Sequence, residues 1–342
     1  MINGMKKFIL TLMAAALMPV LAMAQCPTPA TATATVTLKR KIPGLLDGNF
    51  SVSATKKVAF SQGNLQYTRE STSTPWEDGK FSFMEHQWDF IETAANPYCT
   101  ADFGDKTAIG LFAWATSGWD NTAVDPTSVH YQPWSTSYSQ VSSSHPHYST
   151  NPSQYGPSNA NVVGSTTIGD AESWSKEVAG NHPYENYDWG VYNSSDLGSG
   201  WRTLTVQEWI YLLNTRSGNR YAKANVHGVN GLILLPDGWT QAASAMSGTL
   251  SGINSQSGSF SAVSDANWTI LANEGCVFLP TAGFRTYGVI VYSHENTGYY
   301  WTSSVYDKNN AYNMIFYGGG VNSGSIDPRH YGHAVRLVQD VE

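Results

Sequence analysis

The sequence predicts an α+β fold for this protein, and three features of the chain carry that prediction. Segments typical of strands occur near the beginning of the chain and again, more densely, after residue 276. Two segments between about 205 and 274 carry the start and stop signals of helices. Strands and helices do not alternate as they would in βαβ units, so the two kinds of element should occupy separate regions of one domain.

The clearer of the two helices begins at Thr205. The segment Thr205-Val206-Gln207-Glu208 matches a capping box, in which the threonine hydroxyl accepts from a free backbone amide and the glutamate side chain reaches back. Trp209, Leu212 and Leu213 then fall on one face of the helix. A second helix is expected over about 264–273, because a glycine at position 275 provides a stop signal.

Strands are indicated by short segments with alternating or continuous apolar character, at 58–60, 65–67, 81–83, 232–235, 277–279, 300–302, 312–316 and 334–338. Between about 118 and 200 the chain is instead rich in Ser, Pro, Asn, Tyr and Trp and shows little periodicity. We interpret this part as a long, loop-rich insertion that is either ordered by its own aromatic side chains or used for binding.

The first 24 residues match a secretory signal peptide. Lys6 and Lys7 are positively charged, residues 8–21 form an apolar run, and Ala22-Met23-Ala24 is a small-x-small cleavage site. The apolar run is too short to span a membrane comfortably and no longer run follows, so no transmembrane segment is expected. We therefore predict an exported protein, located outside the cell, on its surface or in the periplasm. Residues 25–56 are interpreted as a linker and N-terminal extension, and 57–342 as the folded domain.

The composition argues against nucleic acid as a partner. Charged residues make up only 13% of the chain, the net charge is -7, and no basic stripe is present, whereas phosphate binding requires clustered Lys and Arg side chains. Polarity is supplied instead by Ser, Thr, Asn, Gly and Tyr. Such a surface suits recognition of a protein or glycan ligand by hydrogen bonds and aromatic contacts.

Several motifs in a fixed order give the sequence a recognisable layout, and they are Gly200-Trp201-Arg202-Thr203-Leu204, the helix at Glu208-Trp209, Leu234-Leu235-Pro236, Phe278-Leu279-Pro280-Thr281-Ala282-Gly283-Phe284-Arg285, Tyr300-Trp301-Thr302-Ser303-Ser304 and Gly332-His333-Ala334-Val335-Arg336-Leu337-Val338. This series resembles exported bacterial major-paralogous-domain proteins, over roughly residues 57–342. The resemblance implies a C-type-lectin-like fold of the formylglycine-generating-enzyme branch. The C-terminal layout also resembles variable proteins diversified by retroelements, in which it implies a ligand-binding face.

The formylglycine-generating enzymes to which the chain is similar use two closely placed reactive cysteines near the C-terminus. Here Cys276 is the only cysteine beyond residue 99. We therefore expect neither oxidase activity nor any other enzymatic activity, and no cofactor or metal. Cys276 could be a small buried hydrophobic residue or could form a disulfide with Cys99, and the sequence leaves both open.

The tract from Val305 to His333 is dominated by Tyr, Asn, Gly, Ser, His and Asp, much of the set that antibody loops favour. Strand alternation places Met314 and Phe316 toward the core, so that the side chains between and beyond them point outward. The alternative interpretation is an ordinary glycine-rich turn region around Gly318-Gly319-Gly320. His330 and His333 could also chelate a metal, but exposed histidines of a binding face are favoured. The predicted ligand-binding residues are Tyr287, Tyr306, Asn309, Asn313, Ile315, Tyr317, Asn322, His330, Tyr331 and His333.

The function that the sequence favours is therefore an exported, receptor-like or adhesin-like ligand-binding protein. Two alternatives remain open at this point. One is a catalytically altered relative of the formylglycine-generating oxidases, and the other is a structural surface protein without a discrete ligand.

Overall fold

A computed structural model describes residues 42–71, 79–90, 108–112, 114, 188–286, 290–292, 295–306, 310–328 and 331–341. The compact unit that contains the elements below spans Gly44–Glu342. Its lower boundary lies before the one expected at residue 57. Phe50 is completely buried in the main core, and its strand pairs with the strand that begins at Lys57. The predicted extension at 25–56 therefore contributes its last part to the folded domain.

The described residues contain sixteen strands and four short α-helices. The strands are β1 (Phe50–Ser51), β2 (Lys57–Phe60), β3 (Leu65–Thr68), β4 (Lys80–Phe83), β5 (Ala108–Ile109), β6 (Trp201–Thr203), β7 (Tyr221–Val226), β8 (Val229–Leu234), β9 (Ser261–Val263), β10 (Val277–Pro280), β11 (Phe284–Thr286), β12 (Ile290–Tyr292), β13 (Thr297–Val305), β14 (Asn310–Tyr317), β15 (Gly320–Pro328) and β16 (Leu337–Val341). The helices are α1 (Trp189–Tyr192), α2 (Ser194–Leu197), α3 (Val206–Ile210), which continues into a π-helical turn at Tyr211–Thr215, and α4 (Asp265–Asn273).

The strands form several small, mostly antiparallel sheets. One sheet, in the order β1-β2-β16-β6, joins the beginning of the domain to its last strand. A second has the order β10-β8-β7-β9, in which only β9 runs parallel to its neighbour. The third is the antiparallel meander β13-β14-β15, and the remaining strands form the sheets β4-β3-β5 and β11-β12. The structure is mixed and largely β-sheet with few helices, which confirms the predicted α+β class.

Both predicted helices are present, and their caps are as expected. The Thr205 side chain accepts a hydrogen bond from the Glu208 amide at 3.2 Å, and the Glu208 carboxylate accepts from the Thr205 amide at 2.9 Å. The second half of this helix is π-helical, with the wider backbone of i→i+5 hydrogen bonds such as the one from the Arg216 amide to the Tyr211 carbonyl, which the apolar spacing does not reveal. Helix α4 begins after the cap Ser264 and is followed by Gly275 at φ 85°.

The hydrophobic core is divided into two clusters. The larger cluster lies beneath helix α3 and contains Trp209, Leu212 and Leu213 together with apolar side chains from several sheets. The smaller cluster lies between α4 and the β10-β8-β7-β9 sheet and includes Trp268 and Cys276. Most of the insertion predicted at 118–200 lies outside the described residues, and its end forms α1 and α2.

The β13-β14-β15 sheet contacts the larger cluster with one face only. Tyr300, Met314, Phe316 and Val321 point into that cluster and are buried. The registers Trp301↔Asn313 and Ile315↔Asn322 place the intervening side chains on the opposite side of the sheet. We call that side the outer face.

Candidate functional site

The outer face of the β13-β14-β15 sheet collects most of the predicted site residues that the structure describes. Thr297, Tyr299 and Trp301 of β13 lie opposite Tyr317, Ile315 and Asn313 of β14, in that order. Directly opposite residues of an antiparallel pair share a face of the sheet. The predicted phase of β14 is therefore confirmed: Met314 and Phe316 point to the core, and the residues between and beyond them point away from it.

One end of the outer face is open to solvent. Tyr317 is 44% exposed, Asn322 on β15 is exposed, and Ile315 and Tyr299 are half-buried. This arrangement puts an aromatic ring, an aliphatic side chain and an amide within one small area. Such a combination offers apolar contact together with hydrogen bonds, as expected for a binding surface.

The glycine-rich turn of the β14-β15 hairpin shapes this open end. Tyr317 pairs with Gly320 across a two-residue turn. A Cβ atom added at Gly319 would approach the Tyr317 ring to 2.7 Å, closer than real Cβ contacts occur. The turn interpretation and the binding-face interpretation of this tract are therefore compatible, because the glycine makes room for the tyrosine ring.

The other end of the outer face is closed, and here two predictions are wrong. Asn313 and His333 were both expected to be exposed, but both are completely buried. Asn313 does point to the outer face, where the ring of its cross-strand neighbour Trp301 and the ring of His333 stack at 4.0 Å between centroids. Burial at this end was missed because alternation gives the direction of a side chain and not what covers it.

His333 is held beside β13 by hydrogen bonds of its own backbone and of the backbone of Ala334. Its amide donates to the carbonyl of Phe112 at 3.0 Å, and the Phe112 amide donates back at 2.9 Å. On the other side, the Trp301 amide donates to the Ala334 carbonyl and the Ala334 amide to the Tyr299 carbonyl, both at 3.0 Å. The segment carrying His333 thus extends the sheet beside β13, and the imidazole lies over the outer face.

A carboxylate, Asp327, lies at the closed end, on the strand position opposite Ala311. Its Oδ2 accepts a hydrogen bond from Nδ2 of Asn313 at 2.8 Å and lies 3.6 Å from Nε2 of His333, which is longer than a hydrogen bond. Burial raises the pKa of the Asp327 carboxyl to about 6, although the Asn313 amide acts in the opposite direction. Burial also raises the pKa of Tyr299 to about 12, and the charges of Asp327 and Tyr317 add to that shift.

The remaining predicted site residues are spread over different places. Tyr331 lies beside the closed end, with its ring centroid 5.7 Å from Phe284 and 6.4 Å from His333. Tyr306 does not belong to the outer face, because it packs edge-on against Tyr312, which points to the other side of β14. Three of the predicted residues lie outside the described residues, namely Tyr287, Asn309 and His330.

Sequence reasoning missed Tyr299, Trp301 and Asp327 as members of this site. Trp301 was assigned to the core, and it is buried, but against His333 on the outer face. Tyr299 could have been found by pairing β13 with β14, because it lies directly opposite Ile315. Asp327 could not be placed in the same way. The bulge between Asn322 and Ser325 shifts the pairing before Asp327, and nothing in the sequence marks it.

Cys276 is a free, buried thiol whose pKa is raised by burial and by the charge of Glu274, so it behaves as the small hydrophobic residue that one interpretation predicted. Cys99 lies outside the described residues. Within the described part of the chain, no three His, Cys, Asp or Glu side chains are placed to hold a metal ion.

Comparisons with protein-family models, with curated proteins and with solved structures gave no match. None of the helices in the described ranges is long and apolar enough to cross a membrane.

Proposed function

We propose that this chain is an exported ligand-binding protein of the receptor or adhesin type, which binds its ligand on the outer face of the β13-β14-β15 sheet. The observation that carries the proposal is the exposure of Tyr317 beside Ile315 and Asn322. The opposite face of the same sheet packs Met314, Phe316 and Val321 into the core. Large aromatic side chains that project from a rigid support are the usual anchors of protein interfaces.

The support beneath this face is rigid because β14 is the central strand of its sheet. It pairs with β13 on one side and with β15 on the other, and Met314 and Phe316 are completely buried under it. A ligand that contacts Tyr317 would therefore order few additional torsions, which keeps the entropic cost of binding low.

A C-type-lectin-like fold of the formylglycine-generating-enzyme branch is part of the proposal. The order of motifs from Gly200 to Val338 supports it, and so does the placement of the C-terminal strands as a sheet with one free face. Diversification of that face by a retroelement would suit the chemistry of the tract, whose Tyr, Asn, Gly and Ser side chains adapt to different ligands. The signal-peptide pattern at 1–24 supports export.

The test is a binding screen with the chain from residue 25 onward. Wild-type protein and the Tyr317→Ala variant are applied to a glycan array and to an array of synthetic peptides. We expect wild-type protein to bind at least one of the immobilised glycans or peptides. Tyr317→Ala should bind the same glycan or peptide at least tenfold more weakly. The matched control is Tyr306→Ala, which removes a half-buried tyrosine from the other side of β14 and should bind like wild type. Binding that survives Tyr317→Ala but is lost with Tyr306→Ala would contradict the proposal.

A further inference from the structure

Lys223 is a buried lysine that connects two of the sheets. It lies on β7, in the β10-β8-β7-β9 sheet, and its side chain is almost completely removed from solvent. The ammonium donates to the carbonyl of Gln256 at 2.6 Å and to the carbonyl of Gly318 at 3.1 Å. Gly318 directly follows Tyr317 in the turn of the β14-β15 hairpin. A side chain of one sheet therefore holds the backbone of another at the open end of the outer face.

A short loop attaches the same turn from a second direction. The Gly258 amide donates to the Gly318 carbonyl at 2.9 Å. The Val321 amide, on β15 just beyond the turn, donates to Oε1 of Gln256 at 3.0 Å. Because the Gln256 carbonyl also accepts from Lys223, the ammonium fixes this loop and the turn together. We call Lys223, Gln256 and Gly258 the turn clamp.

The turn needs such an attachment because its own residues give it little stiffness. Residues 318–320 are all glycine, which has more backbone freedom than any other residue. The tyrosine requires the last two of them, since a Cβ atom would approach the Tyr317 side chain to 2.7 Å at Gly319 and to 3.3 Å at Gly320. No side chain within the turn can therefore hold it in place. Its backbone carbonyl and amide groups are what an anchor can bind.

An ammonium is well suited to hold backbone carbonyls. It brings three donors on a long stem, and hydrogen bonds from a charged donor are roughly twice as strong as neutral ones. Burial of the charge costs free energy unless hydrogen bonds compensate for it. If the turn moved away, Lys223 would lose the Gly318 carbonyl while its charge stayed buried. The ammonium therefore penalises displaced conformations of the turn.

We propose that Lys223 is a positioning residue of the binding site, which holds the glycine turn so that Tyr317 has one orientation before a ligand binds. This inference rests on the proposed function and adds the residue that preorganises its aromatic anchor. An anchor that is already ordered loses less conformational entropy on binding, so the affinity is higher. Lys223 acts through the turn and does not contact the ligand itself, because it is buried.

Amide hydrogen exchange of the chain from residue 25 onward tests this role without a ligand. Lys223→Met keeps an unbranched stem and removes the donors. The amides of Gly258 and Val321 should exchange at least tenfold faster in this variant. The Trp301 amide, which donates to the Ala334 carbonyl at 3.0 Å elsewhere in the same sheet, should keep its wild-type rate. A loss confined to the turn distinguishes positioning from general destabilisation, which would accelerate the exchange of all three amides.

The glycan and peptide arrays measure the consequence for binding. Lys223→Met should bind the glycan or peptide that depends on Tyr317 at least tenfold more weakly than wild type does, and Lys223→Arg, which keeps the charge, should restore part of the loss. In a Tyr317→Ala background, Lys223→Met should have no further effect, because the side chain that it positions is gone. Lys80→Met, which removes an exposed lysine of β4, is the control and should match wild type in exchange and in binding.

Unchanged exchange at Gly258 and Val321 in Lys223→Met would overturn the inference, as would equal acceleration at Trp301. Faster exchange at the turn with unchanged array binding would also overturn it. If Lys223→Met does not fold, wild-type protein decides through nuclear Overhauser effects between the Lys223 Hε protons and the Hα protons of Gly318, whose absence would contradict the contact. If neither array shows binding that depends on Tyr317, the proposed function fails, and the exchange rates then judge the turn clamp by themselves.

Discussion

Replacement of Asp327 by asparagine should stabilise the protein at neutral pH. The substitution keeps the shape of the side chain and an oxygen that can accept from the Asn313 amide, but it removes the negative charge. The carboxyl has a pKa of about 6 in the folded protein against an ordinary value of 3.8. The folded state therefore holds the proton more tightly than the unfolded state does, and ionisation of Asp327 works against folding.

The size of this effect follows from the pKa difference. A shift of about 2 units corresponds to about 3 kcal/mol, which is an upper bound. Since the side chain is 22% exposed and solvent screens part of the charge, we expect Asp327→Asn to raise the free energy of unfolding by about 1–2 kcal/mol at pH 7.5. Because the folded pKa is raised, the favourable contribution of the protonated carboxyl is complete below pH 3.8 and is lost as the pH rises through about 6. The difference between variant and wild type should therefore shrink to nearly nothing at pH 4.

Urea denaturation of both proteins at pH 4 and at pH 7.5 measures this difference. Asp340→Asn is the control, because Asp340 is exposed and accepts from Arg202 at 2.6 Å. Its loss should be neutral or destabilise by less than about 1 kcal/mol, as for other surface ion pairs. Desolvation of Asp327 would be refuted if Asp327→Asn were less stable than wild type at pH 7.5. It would also be refuted if the difference in free energy of unfolding between variant and wild type were the same at both pH values.

Three further predictions concern the framework of the site. Phe316→Ala should lower the free energy of unfolding by roughly 3–5 kcal/mol, because it leaves a cavity in the larger core cluster. Tyr317→Ala should change the free energy of unfolding by less than about 0.5 kcal/mol, because this side chain is exposed. Urea unfolding measures both variants, and a larger loss of stability for Tyr317→Ala than for Phe316→Ala would mean that the strand phase is inverted. Thr205→Ala should cost about 1 kcal/mol through loss of the helix cap, and rescue of that loss by Thr205→Ser is the check. Cys276 should react with a thiol reagent only after unfolding, since burial raises the pKa of its thiol; rapid labelling of native protein at this position, detected by mass spectrometry, would contradict its placement.

The local elements of this fold could be predicted because their signals are local. A hydroxyl and a carboxylate three residues apart suffice to define the start of α3, and Gly275 defines the end of α4. The apolar and polar alternation of β14 gave the correct direction for Met314, Phe316, Ile315 and Tyr317. Each of these signals depends on neighbouring residues and on backbone geometry alone.

The closed end of the site could not be predicted because it depends on pairing between distant segments. His333 reaches the outer face through hydrogen bonds to Phe112 and along β13, which are far away in the sequence. Asp327 comes to lie beside Asn313 only after a bulge in β15. Similarly, Phe50 contributes to the core through the pairing of its strand with β2. Sequence composition does not show this pairing, so the predicted start of the folded domain at residue 57 lies after its true start.

The location of the bound ligand tests the central claim most directly. Ile315 lies half-buried on the outer face, while Ile326, which is 39% exposed, pairs with Tyr312 and points to the opposite side of the same sheet. Protein labelled at isoleucine δ1-methyl groups would be titrated with the glycan or peptide that binds most tightly on the arrays. A ligand bound on the outer face should produce a saturable shift of the Ile315 methyl signal and leave the Ile326 signal unchanged. A shift of the Ile326 signal with the Ile315 signal unchanged would contradict binding on the outer face.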